Sequence, residues 1–213
     1  MNRLAPIATL CIALLGSVPG RAAEPTITVS GVSVQPSANV EGKTLTHNGS
    51  GVRKRGYFLT DVTSVYLAEK RDTLEGVEMA PGAKRLQLVL LRDLPGSTIE
   101  RYFLSDFRMA ATDAEFKQLI REVGLVGAVY GRIKMVHKGD TVHMDWVPGK
   151  GMRALINGAP LQMEEANGVQ QFYINSEMLY RIFLRMYIGG QVNAELRDNL
   201  LGRSKSMTTM TAQ

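Results

Sequence analysis

Few residues of this 213-residue chain are spaced for chemistry, and one of them is an arginine. The three histidines, His47, His137 and His143, sit in unrelated segments with no His-x-x-x-His or His-Glu pair. No metal site is expected, because ligand pairs normally share a turn or a strand. No serine lies in Gly-x-Ser-x-Gly, and no Ser/His/Asp set can be picked out. Gly49-Ser50-Gly51 has the small residues of a phosphate loop but lacks its Lys-Ser/Thr ending and its strand-turn-helix setting. The simpler reading is a tight turn that needs positive φ. Arg53 follows this turn and precedes a strand pattern, where a fixed guanidinium can reach into a cavity. Its charge persists at any working pH, and its forked donors suit a carboxylate or an enolate oxygen. The alternative is an ordinary surface arginine beside Lys54 and Arg55.

The elements that position these residues read as one domain. Apolar residues make up 45% of the chain and charged residues 21%, as in packed globular proteins. The formal charge of +5 is spread among acids, without a Lys/Arg run or an aromatic-interleaved basic stripe, which argues against nucleic acid. Arg3, the apolar stretch from Leu4 to Val18 and the small residues up to Ala23 have the layout of a secretory leader. Cleavage near Ala22 or Ala23 is expected, giving a leader over 1–22 and an exported, periplasmic product. A membrane anchor fits less well, because spanning takes about 20 apolar residues and Pro6 and Pro19 bracket this segment. Cys11 leaves with the leader, so disulfides and Cys-dependent catalysis are excluded from the mature chain. No later segment reaches membrane-spanning length.

Ile27–Val29 and Val32–Val34 alternate as short strands, whereas the polar, Gly-containing stretch from Asn39 to Gly51 carries the turn dipeptide Asn48-Gly49. Strands are expected over Tyr57–Ala68, Leu86–Leu91 and Thr141–Val147, with His143 on a solvent face, and Met79–Lys84 as a loop. Ser97-x-x-Glu100 and Thr112-x-x-Glu115 are capping boxes for helices over Ile99–Met109 and Ala114–Val123, the second stopped by Gly124. Leu125–Val136 reads equally as helix or bend. Asn157-Gly158 signals a two-residue hairpin. Met178, Leu179, Ile182, Phe183 and Met186 form a helical stripe ended by Gly189, and Asn193 caps a last short helix. The region 203–213 reads as a frayed tail. This order predicts an α+β fold, one antiparallel sheet with its helices on one side.

The run Gly42-Lys43-Thr44-Leu45-Thr46-His47-Asn48-Gly49-Ser50-Gly51-Val52-Arg53, followed by Val65-Tyr66-Leu67-Ala68, resembles the opening of the chalcone isomerase-like family. Leu91-Arg92-Asp93-Leu94, Lys138-Gly139-Asp140-Thr141, Trp146-Val147-Pro148-Gly149-Lys150-Gly151 and Ile156-Asn157-Gly158 follow in order. Phe183-Leu184-Arg185-Met186-Tyr187-Ile188-Gly189 and Leu200-Leu201-Gly202 close the set, placing the domain at 24–202 and nearest the exported bacterial branch. The resemblance implies an open-faced β-sandwich, a large antiparallel sheet covered on one face by a helical layer with a cleft between. It also implies that Arg53, at the end of the Gly-x-Gly-Val-Arg motif, is the cleft arginine.

The rest of the plant enzymes' polar set does not carry over. Counted from Gly96, the ketone-polarising tyrosine falls on Ile99, the neighbouring lysine on Tyr102 and the asparagine on Asp106. Counted back from Gly189, the late-helix threonine or serine falls on Tyr180, and the first threonine's place lies near Asp61 or Val62. Losing one donor where enolate charge develops typically costs about 10²–10³ in rate. What remains suits an acid with an apolar tail, with Tyr102 and Tyr180 as second donors or as interface tyrosines. The expectation is a non-catalytic periplasmic protein holding a fatty acid or similar apolar carboxylic acid, without a cofactor. The alternatives are a chalcone isomerase-type enzyme and an interaction protein whose cleft is filled by its own side chains.

Overall fold

Successive side chains of a strand point to opposite faces, and here each face acquires its own cover. A computed structural model describes residues 26–165 and 167–204. The expected leader and all but the first two residues of the expected tail lie outside that range. Strands β1 (Ile27–Val29) and β2 (Val32–Val34) form a hairpin, followed by β3 (Ser37–Val40), β4 (Lys43–Arg55), β5 (Phe58–Leu67) and β6 (Lys84–Leu90). A short pair, β7 (Leu94–Pro95) with β8 (Met135–Val136), precedes β9 (Thr141–Val147), β10 (Gly151–Ile156) and β11 (Ala159–Pro160). A last small ribbon joins β12 (Met163–Glu164) to β13 (Gln170–Gln171). The main sheet is antiparallel and seven-stranded, in the order β11-β10-β9-β6-β5-β4-β3.

Among the described residues there are six helices: α1 (Leu74–Glu78), α2 (Gly96–Ala110), α3 (Asp113–Gln118), α4 (Ile120–Arg132), α5 (Glu177–Ile188) and α6 (Ala194–Leu200). Val65, Leu86, Leu88 and Met144 of the sheet pack against Phe103 of α2 and Phe183 of α5 in one cluster. Val62, Tyr66 and Val147 point the other way, where Val29 and Val34 of the β1–β2 hairpin cover them. The α+β fold with a large antiparallel sheet and a helical layer is therefore as expected.

Several local expectations change. Thr112 and Glu115 do form the reciprocal capping box, but Ser97 and Glu100 do not. Pro95 occupies the cap position, because β7 runs straight into α2. Gly124 does not stop a helix; the break falls at Leu119, and α4 continues through Gly124, Gly127 and Gly131. Gly131 lies against Glu100 of α2, where a Cβ would come within 3.2 Å of its carboxylate, so the small residues let α2 and α4 approach. A short helix, α1, capped by Thr73, leads into the expected loop at Met79. Asn48-Gly49 is not a turn but a bulge inside β4, and neither Gly49 nor Gly51 has positive φ. Their missing side chains make room for α6 instead. A Cβ on Gly49 would stand 2.1 Å from the Asn199 carbonyl oxygen.

On the face away from the main helical layer, polar groups are buried in pairs. Asp145 accepts from Arg85 at 2.6 and 2.8 Å and from Arg153 at 3.3 Å. His143 is half-buried rather than on a solvent face, with Nε2 3.1 Å from Gln87 Oε1, and His47 Nε2 lies 2.5 Å from Ser50 Oγ. Burial, aided by Lys70 near His47 and by Arg85 near His143, lowers both imidazoles from 6.5 to about 4. The unfolded chain therefore takes up protons through pH 6.5 that the folded chain refuses until about pH 4. Stability is full above that window and falls as pH drops through it, by at most about 3 kcal/mol per histidine. Urea midpoints should decline across the window, and less steeply in His47→Gln; an unchanged slope would clear His47 of the effect.

Candidate functional site

The hairpin joining β4 to β5 brings the principal charges together. Arg55 pairs with Phe58 around the two-residue turn Gly56-Tyr57, and Gly56 supplies the φ of 57° that a tight hairpin requires. One step further a bulge inserts Thr60, so that Arg53 faces Asp61. Both side chains therefore point to the helical side. Arg53 donates to Asp61 Oδ2 from Nε at 2.8 Å and makes an ion pair with it through Nη2 at 2.8 Å, while Thr63 donates to Oδ1 at 2.6 Å. The Arg53 side chain is 14% exposed and that of Asp61 is 0%. Burial pulls the guanidinium down, but the Asp61 carboxylate overrides it and leaves Arg53 above its ordinary value. Arg53 is a fixed cation with an internal counter-ion.

Its third nitrogen is less committed. Arg53 Nη1 lies 3.7 Å from Asp106 Oδ2 of α2, beyond hydrogen-bond range, and Asp106 instead accepts from Arg55 Nη2. The Arg55 guanidinium lies over the Tyr102 ring at 4.8 Å, and that of Arg53 over the Tyr187 ring at 4.8 Å. Burial, reinforced by Arg53, lowers Arg55 from its usual value. Two arginines and two carboxylates thus share one polar end, with formal charges that cancel.

Beyond this end lies an apolar cavity of about 60 Å³. A single water needs roughly 10–15 Å³ measured in this way, so the space admits several water-sized groups. Leu88, Leu90, Val142 and Met144 form its sheet wall, and Ile99, Phe103 and Phe183 its helical wall. Tyr130 and Tyr187 also line it. Burial, opposed by Arg53, raises both phenols, so they remain protonated donors through the neutral range. A second, more polar cleft of about 340 Å³ adjoins the cavity and shares Arg53, Asp106 and Met186 with it; Lys54, Arg55, Met109 and Leu196 also line this outer cleft.

Of the five residues singled out from sequence, Arg53, Ile99, Tyr102 and Asp106 surround the cavity. Tyr180 does not. Its ring is fully buried under the sheet and its hydroxyl donates to the Met144 carbonyl at 3.2 Å, leaving no donor for the cavity. The expectation of Tyr180 as a second donor gives way to Tyr130 and Tyr187. Tyr187 lies two helical turns beyond Tyr180 along α5, about 10 Å further on, where it meets Arg53 rather than Trp146. Sequence reasoning also passed over Arg55 as a site residue and Asp61 as the counter-ion. Tyr187 stood inside the quoted Phe183–Gly189 motif, and Tyr130 on a stretch whose helical state was open. No group of three His, Cys, Asp or Glu able to hold a metal occurs among the described residues. None of the described helices is long and apolar enough to cross a membrane.

Comparison with known proteins agrees with this architecture. No curated protein matches the chain. Among solved structures, a fatty-acid binding protein of Arabidopsis thaliana superposes with a TM-score of 0.63 over 82% of this chain and 95% of that one. The two are 14% identical, so the likeness is one of fold. The family model for chalcone isomerase-like proteins matches residues 26–202, most of the chain. With that match and the sandwich of sheet and helices described above, the chain belongs to the chalcone isomerase-like family.

Proposed function

We propose that this protein is a non-catalytic binding protein for a fatty acid or similar apolar carboxylic acid, held outside the cytoplasm between the sheet and the helical layer. The observation that carries this reading is Arg53, a buried guanidinium with one nitrogen uncommitted at the end of an apolar cavity. A carboxylate there gains a charge-assisted bond from Arg53 and neutral donors from Tyr130 and Tyr187. Tail burial contributes about 0.8 kcal/mol per methylene. The cavity is short for a long tail, but Met144 and Met186 are unbranched and repack readily to lengthen it. The fatty-acid binding protein of the same fold supports the choice of ligand class. The leader-like N-terminus supports export, which N-terminal sequencing of protein recovered from a periplasmic extract tests directly.

Asp106 sets the chemistry of entry. An incoming carboxylate meets a resident one that already holds Arg55, so the two compete. Titration with laurate and with dodecanol separates the contributions of head and tail. Asp106→Asn keeps the shape and removes the competing charge. It should raise laurate affinity about ten-fold, or 1.4 kcal/mol, and leave dodecanol unchanged. If laurate binds neither protein, and protein purified with its natural ligands carries no acid by native mass spectrometry, the reading fails. Chalcone absorbance, followed against its spontaneous loss, provides the contrast: an Arg53-dependent excess rate would favour an isomerase.

A further inference from the structure

The β4–β5 hairpin ends in a cluster that neither the core nor the cavity uses. Tyr57 is 102% exposed, Phe58 59% and the neighbouring Met109 of α2 58%. Tyr57 sits at the second position of the two-residue turn, so its ring projects from a convex tip. Cations surround this tip. Arg92 lies over the Phe58 ring at 4.3 Å, Arg101 lies 5.8 Å from the Tyr102 ring, and Lys54 is exposed on the strand leading to the turn. Among the described residues, none of Lys54, Arg92 and Arg101 has an acidic side chain within ion-pair distance. Asp106 is engaged by Arg55, Asp93 beside Arg92 accepts from the Lys138 amide, and Glu100 beside Arg101 lies against Gly131 of α4.

We infer that this hairpin tip docks on an anionic lipid surface. Tyrosine and phenylalanine rings suit the boundary between headgroups and acyl chains. Each Lys or Arg near an anionic surface contributes about five-fold in partitioning, from about 1 kcal/mol. A convex two-residue turn offers little area to a flat protein partner, whereas it enters a bilayer interface without needing a complementary pocket. The position adds a purpose. Arg55, Gly56 and Met109 line the outer cleft, so a docked tip holds the route to the cavity against the lipid. The inference does not depend on which ligand the cavity takes.

The test is co-sedimentation with phosphatidylcholine vesicles, plain or containing roughly a third phosphatidylglycerol. The apolar N-terminal segment can itself bind lipid, so every variant is compared with wild type carrying the same N-terminus. The wild type should prefer the anionic vesicles. Tyr57→Ser/Phe58→Ser should lose at least ten-fold, and Lys54→Gln/Arg92→Gln/Arg101→Gln should lose about a hundred-fold together with the salt dependence. All five positions are at or near the surface, and a urea transition like that of the wild type checks that these variants fold. A local readout comes from Phe58→Trp with bromine-labelled lipid: its emission should be quenched, while that of Trp146, packed against the core, should not. Equal partitioning of wild type and variants, or an unquenched tryptophan at the tip, overturns the inference. So does a tip that captures protein but never lipid.

Discussion

Replacing Arg53 by methionine should both destabilise the fold and weaken laurate binding about 10–100-fold. The binding loss follows from a charge-assisted hydrogen bond, worth about 1.5–3 kcal/mol. The stability loss has a different origin. Asp61 is 0% exposed, and its side chain takes one hydrogen bond and its ion pair from Arg53 and a second hydrogen bond from Thr63. Removing one partner of a buried pair leaves an uncompensated charge and costs about 3–5 kcal/mol. The two effects can be separated. In Arg53→Met/Asp61→Leu both charges are gone and the pair is replaced by apolar volume, so stability should return towards wild type while laurate binding does not. Urea transitions and laurate titrations on the three proteins decide the matter. If the double variant recovers binding along with stability, Arg53 acts only as scaffold.

Gly49→Ala should be strongly destabilising for a change of one methyl group. The added Cβ would fall 2.1 Å from the Asn199 carbonyl oxygen and 2.6 Å from that of Leu200, both backbone atoms. Side chains cannot turn aside there, because α6 is clamped: Asn48 Nδ2 donates to the Leu200 carbonyl at 2.8 Å and to the Arg71 carbonyl at 2.9 Å. Either α6 lifts or β4 bends, at a cost of about 3 kcal/mol or more, the upper end for overpacking. Leu196 of α6 lines the outer cleft, so the lifted helix should also loosen ligand retention. Gly124→Ala is the internal control. It has open space around its Cβ position within α4, and should stabilise by up to about 1 kcal/mol from helix propensity. Thermal melts of the two variants should move in opposite directions; a Gly49→Ala protein as stable as the wild type would mean the helix seat is soft.

Much of the fold was legible because its signals are local. The apolar run from Leu86, the alternation through Val142, Met144 and Trp146, the Asn157-Gly158 hairpin and the stripe on α5 each follow from periodicity and turn chemistry within a few residues. Where the local signal misled, a distant element had taken over. Asn48-Gly49 has turn chemistry, but α6, about 150 positions later, consumes both the amide of Asn48 and the space above Gly49. Gly124 has the chemistry of a helix stop, yet packing of α4 beside α2 carries the helix through it.

The amino-acid sequence alone determined the α+β class, the family's ordered motifs, and Arg53 as the side chain to watch. Only the tertiary structure decided what Arg53 meets. A single inserted residue, Thr60, moves Asp61 rather than its neighbour opposite the guanidinium, and such a bulge leaves no periodic trace. The placement of α5 along the sheet then sets Tyr187 at the cavity and Tyr180 against the Met144 carbonyl, although both are buried residues of one helix. Period and composition are properties of neighbouring residues, whereas the partner of a buried charge is settled by how separate elements register against each other.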